Sequence, residues 1–357
     1  MDEQQRSPFF RELHAFRGIA ILSIVIAHAA GTYSVFSGGK AAASAQDLVS
    51  LVHFAAWHDS TLWFALISGL LFPTVFARRG FAAFYRNRVL RVVLPYVLMT
   101  ALFTPVAYRP AAPDEFLRWR GAGLGGYLDQ FTYNLLHGTA LHPYWYIPVL
   151  ICLYLLTPLV WTLARRAPAA LLLLAVVPLV SSRTGIHFSL QSVFYFLGAY
   201  AVGVYLGVDY PRRLQTLANR RIALAVVALA CTLAIIALRL AQGPAPATGF
   251  SILESVFYVQ KLALGALMLC WLRESPVGGN KMLAVCARFA FAIYFLHYLP
   301  LRILADLMVQ HGPAGGGPLW DLGIILTLAA AATALSIGAA RLLRRILGPR
   351  SRFVVGA

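Results

Sequence analysis

About ten stretches of mostly apolar residues divide this chain, and each has roughly the 17 to 25 residues an α-helix needs to cross a hydrocarbon core. They fall near 16–36, 61–77, 89–107, 144–163, 168–184, 190–209, 221–240, 250–272, 283–305 and 319–340. The fifth is marginal in length. The connection through 48–60 is apolar enough to lie on the membrane or dip into it. A soluble chain of 357 residues would make two or three domains, but 60% hydrophobic and 12% charged residues, with a mean hydropathy of +0.72, lie far outside the soluble norm. The expected fold is all-α, a polytopic membrane helix bundle. Its expected parts are a cytoplasmic N-terminal segment 1–15, a transmembrane domain 16–340 and a basic cytoplasmic tail 341–357.

Thirty Lys and Arg against 13 Asp and Glu would suit a nucleic-acid partner if they were gathered on one surface. They are sorted by loop instead. With both termini in the cytoplasm, 21 fall in inside segments and 6 in outside loops, leaving Arg17, Lys261 and Arg302 within helices. That is the positive-inside rule, so the partner implied by the charge is the anionic bilayer and no nucleic acid is expected. The expected location is the plasma (inner) membrane, as a multi-pass protein of bacterial type, with homo-oligomerisation left open. A cleavable export signal explains the N-terminus less well, because acidic residues interrupt its leader and the apolar run continues to Phe36. Cys152, Cys231, Cys270 and Cys286 have no metal-like spacing and read as small buried residues. The Gly/Pro stretches 241–249 and 312–318 read as short outer turns.

An ionisable side chain in hydrocarbon costs about 2.5 to 3.5 kcal/mol on insertion scales and needs a partner or a role. His28 is one. Arg17 stands eleven residues before it, about 16 Å along the axis and nearly on the same face. His297, in FAIYFLHY, lies at a similar depth on a late helix. Glu254, Gln260 and Lys261 share another helix, where interhelical hydrogen bonding and function are equally open. Five arginines (Arg78, Arg79, Arg86, Arg88 and Arg91) gather between the second and third helices. They suit a topology anchor or a clamp for phosphate, whose oxygens match guanidinium forks.

FRGIAILSIVIAHA, with Arg17 and His28 in Arg-x10-His spacing, LWFALISGLLF, FYRNRVLRVVLPY with its Arg88-x-x-Arg91, HPYWYIPVLICLYLLTPL and FAIYFLH follow one another in this order. In that order the chain resembles the acyltransferase 3 family of membrane-bound acyltransferases over nearly its whole length. The resemblance implies transfer of an acyl group, acetyl by default, from cytoplasmic acyl-CoA to a hydroxyl of a cell-surface or lipid-linked carbohydrate. It makes His28 the essential histidine, Arg17 its partner, and Arg88 and Arg91 the pair tied to the donor. The chain departs from the family pattern at His14, where an acidic residue is frequent, at Leu70 in Ser68-Gly69-Leu70, and at Ala290, where serine is common.

Histidine suits the role of base because its pKa lies near neutrality. His28 is therefore expected to deprotonate the acceptor, with a transient acyl-histidine as the alternative. Tyr294 and His297 are expected to orient substrate or steady the oxyanion, and Arg86, Arg88 and Arg91 to hold acyl-CoA, a co-substrate, with no bound cofactor. Trp145 and Tyr146, with His58, Asp59 and Glu254, are candidates for the carbohydrate acceptor. No metal is expected, since His53 and His58 lack helical i, i+4 spacing and an evident third ligand. The rival is a polysaccharide exporter or proton-coupled transporter relaying protons through His28, Glu254 and His297. It predicts inverted repeats and helices broken by paired Gly/Pro interruptions near the midplane, and neither is evident in the sequence.

Overall fold

The computed structural model describes residues 10–36, 48–107, 123–181, 183, 188–242, 251–311 and 317–356. Residues 1–9 and nearly all of the two Gly/Pro turns lie outside that set. The described residues are helical throughout, with no strand among them. Seven helices are long and apolar enough to cross a membrane: Arg11–Phe36, Leu48–Phe76, Gly80–Pro105, Leu190–Val208, Arg221–Ala241, Ile252–Glu274 and Pro318–Val355. The number rises to nine if each of two bent helix pairs is one span.

Some expectations shift. The apolar connection before the second helix is itself helical, α2 (Leu48–Ala56), and runs on through α3 (Thr61–Leu71) as one span. The marginal fifth segment stops early. It makes α9 (Pro168–Val176) and a 3-10 turn ending at Leu179 around Pro178, about 18 Å of helix at 1.5 Å per residue, too short for a ~30 Å core. The segment read as a basic tail is also helical: α17 (Pro318–Leu347) carries its first half, and α18 (Ser351–Val355) folds back with Val355 fully buried.

The centre of the bundle is α1 (Arg11–Phe36), which packs on α3, on α13 (Ile252–Glu274), and on α14 (Lys281–Arg288), α15 (Ala290–Leu296), α16 (Tyr298–His311) and α17. On the outside lies α12 (Arg221–Gln242), whose Ile222, Val226, Leu229 and Leu233 point away from the protein. Apolar residues on such a face belong against lipid, where they are as comfortable as in a core.

Where helices meet most closely, glycine permits it. A Cβ on Gly69 of α3 would stand 2.1 Å from the Tyr200 carbonyl oxygen, and one on Gly203 of α10 (Leu190–Val208) would stand 2.1 Å from that of Leu66. Each helix thus lays its backbone into the other's missing side chain. Gly203→Ala should cost about 1–3 kcal/mol, the usual penalty of overpacking, and lower the unfolding temperature in detergent. Gly323→Ala, with nothing within 4 Å of the added carbon, should leave that temperature unchanged.

Two spans are broken, each just before a proline. The pair α7 (Tyr146–Leu155) and α8 (Thr157–Arg166) bends by 49° ahead of Pro158, and α15 and α16 bend by 50° ahead of Pro300. Proline has no N–H for the carbonyl four residues back, so other donors take over nearby. The Tyr154 carbonyl accepts from the Tyr85 hydroxyl at 3.2 Å, and the Phe295 carbonyl from the Tyr144 hydroxyl at 2.9 Å.

Candidate active site

His297 sits at the second break. Its Nδ1 lies 2.8 Å from the Ile293 carbonyl oxygen and 3.0 Å from that of Tyr294. Carbonyls only accept, so Nδ1 carries the proton in the neutral ring and Nε2 is left with a lone pair. His28 Nδ1 stands 2.9 Å from that Nε2, and the rings are nearly parallel with centroids 5.1 Å apart. His28 must then donate through Nδ1, which leaves Nε2 of His28 as an open acceptor. His297 is wholly buried, whereas His28 is only partly so. A backbone break on one helix thereby fixes which nitrogen of a histidine on another can take a proton.

Around the pair stand more rings. His142 meets His28 edge-on at 5.5 Å and stacks on Tyr298 at 5.5 Å. His142 is exposed. Tyr294 is placed differently from its expected role: its buried hydroxyl donates to the Pro143 carbonyl, bracing the 3-10 turn His142–Trp145, while its own carbonyl holds His297.

At the arginine-rich end of α1, Arg17 stacks over Phe291 at 5.2 Å and lies within electrostatic reach of Arg88 and Arg91. Arg88 ends α4 (Gly80–Arg88) just before a π-helical turn, Val89–Val93. Its guanidinium is enclosed by Phe76 at 5.3 Å, Phe84 at 5.0 Å and Tyr154 at 4.7 Å. Aromatic faces attract a cation but accept few hydrogen bonds. Among the described residues, Nε and Nη2 of Arg88 are buried without a partner and no carboxylate pairs with Arg17, Arg88 or Arg91. Unsatisfied buried donors of a charged group are costly, and among the described residues nothing satisfies these two. The π turn separates Arg91 from Arg88, since Arg91 is exposed, as is Arg86.

A second cluster joins residues the sequence could only name singly. Arg183 Nη1 lies 2.9 Å from Asp59 Oδ1, its Nε 3.8 Å from Glu254 Oε1 and its Nη2 3.3 Å from His58 Nε2. Tyr195 donates to Asp59 Oδ2 at 2.8 Å. Asp59 holds a left-handed backbone, φ 58°, which Asp tolerates better than most residues. Ligand atoms of His58, Asp59 and Glu254 fall within 4.8 Å of one another, the metal-like grouping that sequence spacing did not reveal. The guanidinium of Arg183 touches all three, so the positive charge these groups face is a side chain.

Trp145 and Tyr146 do not form an open stacking platform. Both are buried, and Trp145 faces the Arg183 guanidinium at 5.6 Å and Phe196 at 5.7 Å. Lys261 and Gln260 act as interhelical glue: the Lys261 ammonium and the Gln260 amide donate at 2.9 Å to the carbonyls of Ala56 and Ala55, at the end of α2. A cation at a helix C-terminus also meets the negative end of its dipole.

A helical membrane bundle whose central helix carries Arg17 toward an arginine cluster and His28 toward a second histidine defines a class of integral membrane protein. A family model described as an acyltransferase domain matches residues 10–340, and the chain belongs to that family, acyltransferase 3. No curated protein and no solved structure matches it.

Proposed function

We propose that the protein is an acyl-CoA-dependent O-acyltransferase that moves an acyl group, acetyl by default, to a hydroxyl of a cell-surface or lipid-linked carbohydrate. The observation that carries this is the 2.9 Å bond between His28 Nδ1 and His297 Nε2, which leaves His28 Nε2 as the base. The acceptor oxygen attacks the thioester carbonyl carbon while its proton passes to His28 Nε2. The C–S bond then breaks, and the thiolate takes that proton back. His297, held by two carbonyls, steadies the imidazolium through the shared hydrogen bond. Arg17, Arg88 and Arg91 bind donor phosphates at the cytoplasmic end, with the pantetheine arm running inward along α1. The acceptor arrives from the side of His142, with His58, Asp59 and Glu254 shaping its approach.

The test supplies membrane vesicles with labelled acetyl-CoA and follows label into glycan. Transfer by wild type supports the proposal. Arg88→Ala should raise the apparent donor KM about tenfold or more, because a charge-assisted contact is lost. An unchanged KM would reduce the arginines to a topology signal.

One observation favours the rival carrier: the two broken spans, one of them holding His297 at its break, resemble the discontinuous helices of transporters. Glycan crossing the membrane without any acyl transfer from acyl-CoA would decide for it.

A further inference from the structure

A cavity of about 240 Å3 opens beside the first turns of α1, against the glycine turn that precedes α14. Arg11, His14, Ala15, Gly278, Gly279 and Ala284 line it. Among the described residues its walls are one arginine, one histidine and small residues, with no carboxylate. Of the described acidic groups, Glu12 lies within electrostatic reach of the Tyr210 hydroxyl and Glu274 pairs with Arg221 at 3.8 Å. Glycine keeps the far wall flat. A Cβ on Gly278 would stand 2.1 Å from the Leu272 carbonyl oxygen, and one on Gly279 would stand 3.6 Å from Arg11 Cδ, so Arg11 lies along bare backbone. The hydrogen bond of Arg11 to the Arg273 carbonyl is exposed and long, 3.4 Å, and engages one of five guanidinium donors. His14 lies within electrostatic reach of Arg17 and Arg288, which places the cavity beside the Arg17, Arg88 and Arg91 group.

We propose that this cavity binds a phosphate ester and, in the reaction above, seats the 3′-phosphate on the nucleotide end of the acyl donor. The donor assignment rests on the acyl-CoA proposal; the phosphate chemistry does not. An anionic lipid headgroup offers the same chemistry, so the two sources are tested side by side. Full-length protein in phosphatidylcholine nanodiscs is titrated with coenzyme A and with dephospho-coenzyme A, which lacks the 3′-phosphate. Retention of phosphatidylglycerol is measured in parallel by native mass spectrometry from mixed nanodiscs.

Wild type should bind coenzyme A about tenfold tighter than the dephospho form. Arg11→Ala should erase that difference by weakening coenzyme A alone. Ala284→Glu, which puts a carboxylate into the cavity, should do the same while leaving Arg11 in place. Should Arg11→Ala leave the nucleotide preference intact yet lose phosphatidylglycerol, the donor assignment is overturned and the phosphate site stands with a lipid occupant. If neither ligand responds to either variant, the phosphate site itself is overturned. If wild type binds neither nucleotide, the acyl-CoA proposal fails, and the lipid measurement alone decides the cavity: retention lost in Arg11→Ala upholds it, and unchanged retention overturns it.

Discussion

His28→Ala should abolish measurable acyl transfer, lowering kcat by about a hundred- to ten-thousand-fold, the range contributed by a positioned general base. The protein should still insert and accumulate, because His28 lies inside a 26-residue helix, where alanine is the better helix former. His297→Ala should cost less, about tenfold. It removes the acceptor that fixes the His28 tautomer, while Nε2 of His28 can still take a proton in a fraction of molecules. The ratio between the two variants is therefore informative. Equal losses would make the pair one chemical unit, and a larger loss at His297 would exchange their roles. Rapid quenching followed by mass spectrometry addresses the covalent alternative, since an acyl group found on His28 would replace general-base catalysis with a two-step transfer.

The membrane bundle was legible because hydrocarbon imposes a length and a polarity that a sequence displays directly, and α1, α12 and α13 follow their apolar runs within a few residues. What failed was local. Pro178 and its 3-10 turn end α9 early, and α2 joins α3 across a turn whose Asp59 takes a left-handed backbone. The pairing of His28 with His297 was suggested by depth alone, yet the bond that orients them depends on a helix break that helical periodicity does not encode. Arg88 and Arg91 look equivalent at i, i+3, but the π turn buries one and exposes the other. Arg183 was counted only as a loop charge. Its partners Asp59 and Glu254 lie 124 and 71 residues away in the chain, so nothing local marks it. His142 stood in a motif noted for its aromatic residues, and only the fold brings its ring to His28.

The buried cluster around Arg183 supports the other large prediction. Asp59 has no exposed side-chain surface, and Arg183 and Glu254 keep 17% and 16% of theirs. Removing one member of a buried ion pair leaves its partner's charge without compensation, at a cost of about 3–5 kcal/mol. Arg183→Ala should therefore lower the unfolding temperature in detergent far more than Arg221→Ala, whose partner Glu274 lies in an exposed pair of the kind that contributes little. Adding Asp59→Asn to Arg183→Ala should recover much of the loss, because the uncompensated carboxylate is then gone, and the double-mutant cycle would show strong coupling. The distinction bears on chemistry as well as stability. If Arg183→Ala unfolds at the wild-type temperature, the guanidinium is not what holds Asp59 and Glu254 in place. Those two carboxylates would then have to be balanced by something outside the chain, and the metal-like spacing of His58, Asp59 and Glu254 would call for a divalent cation there.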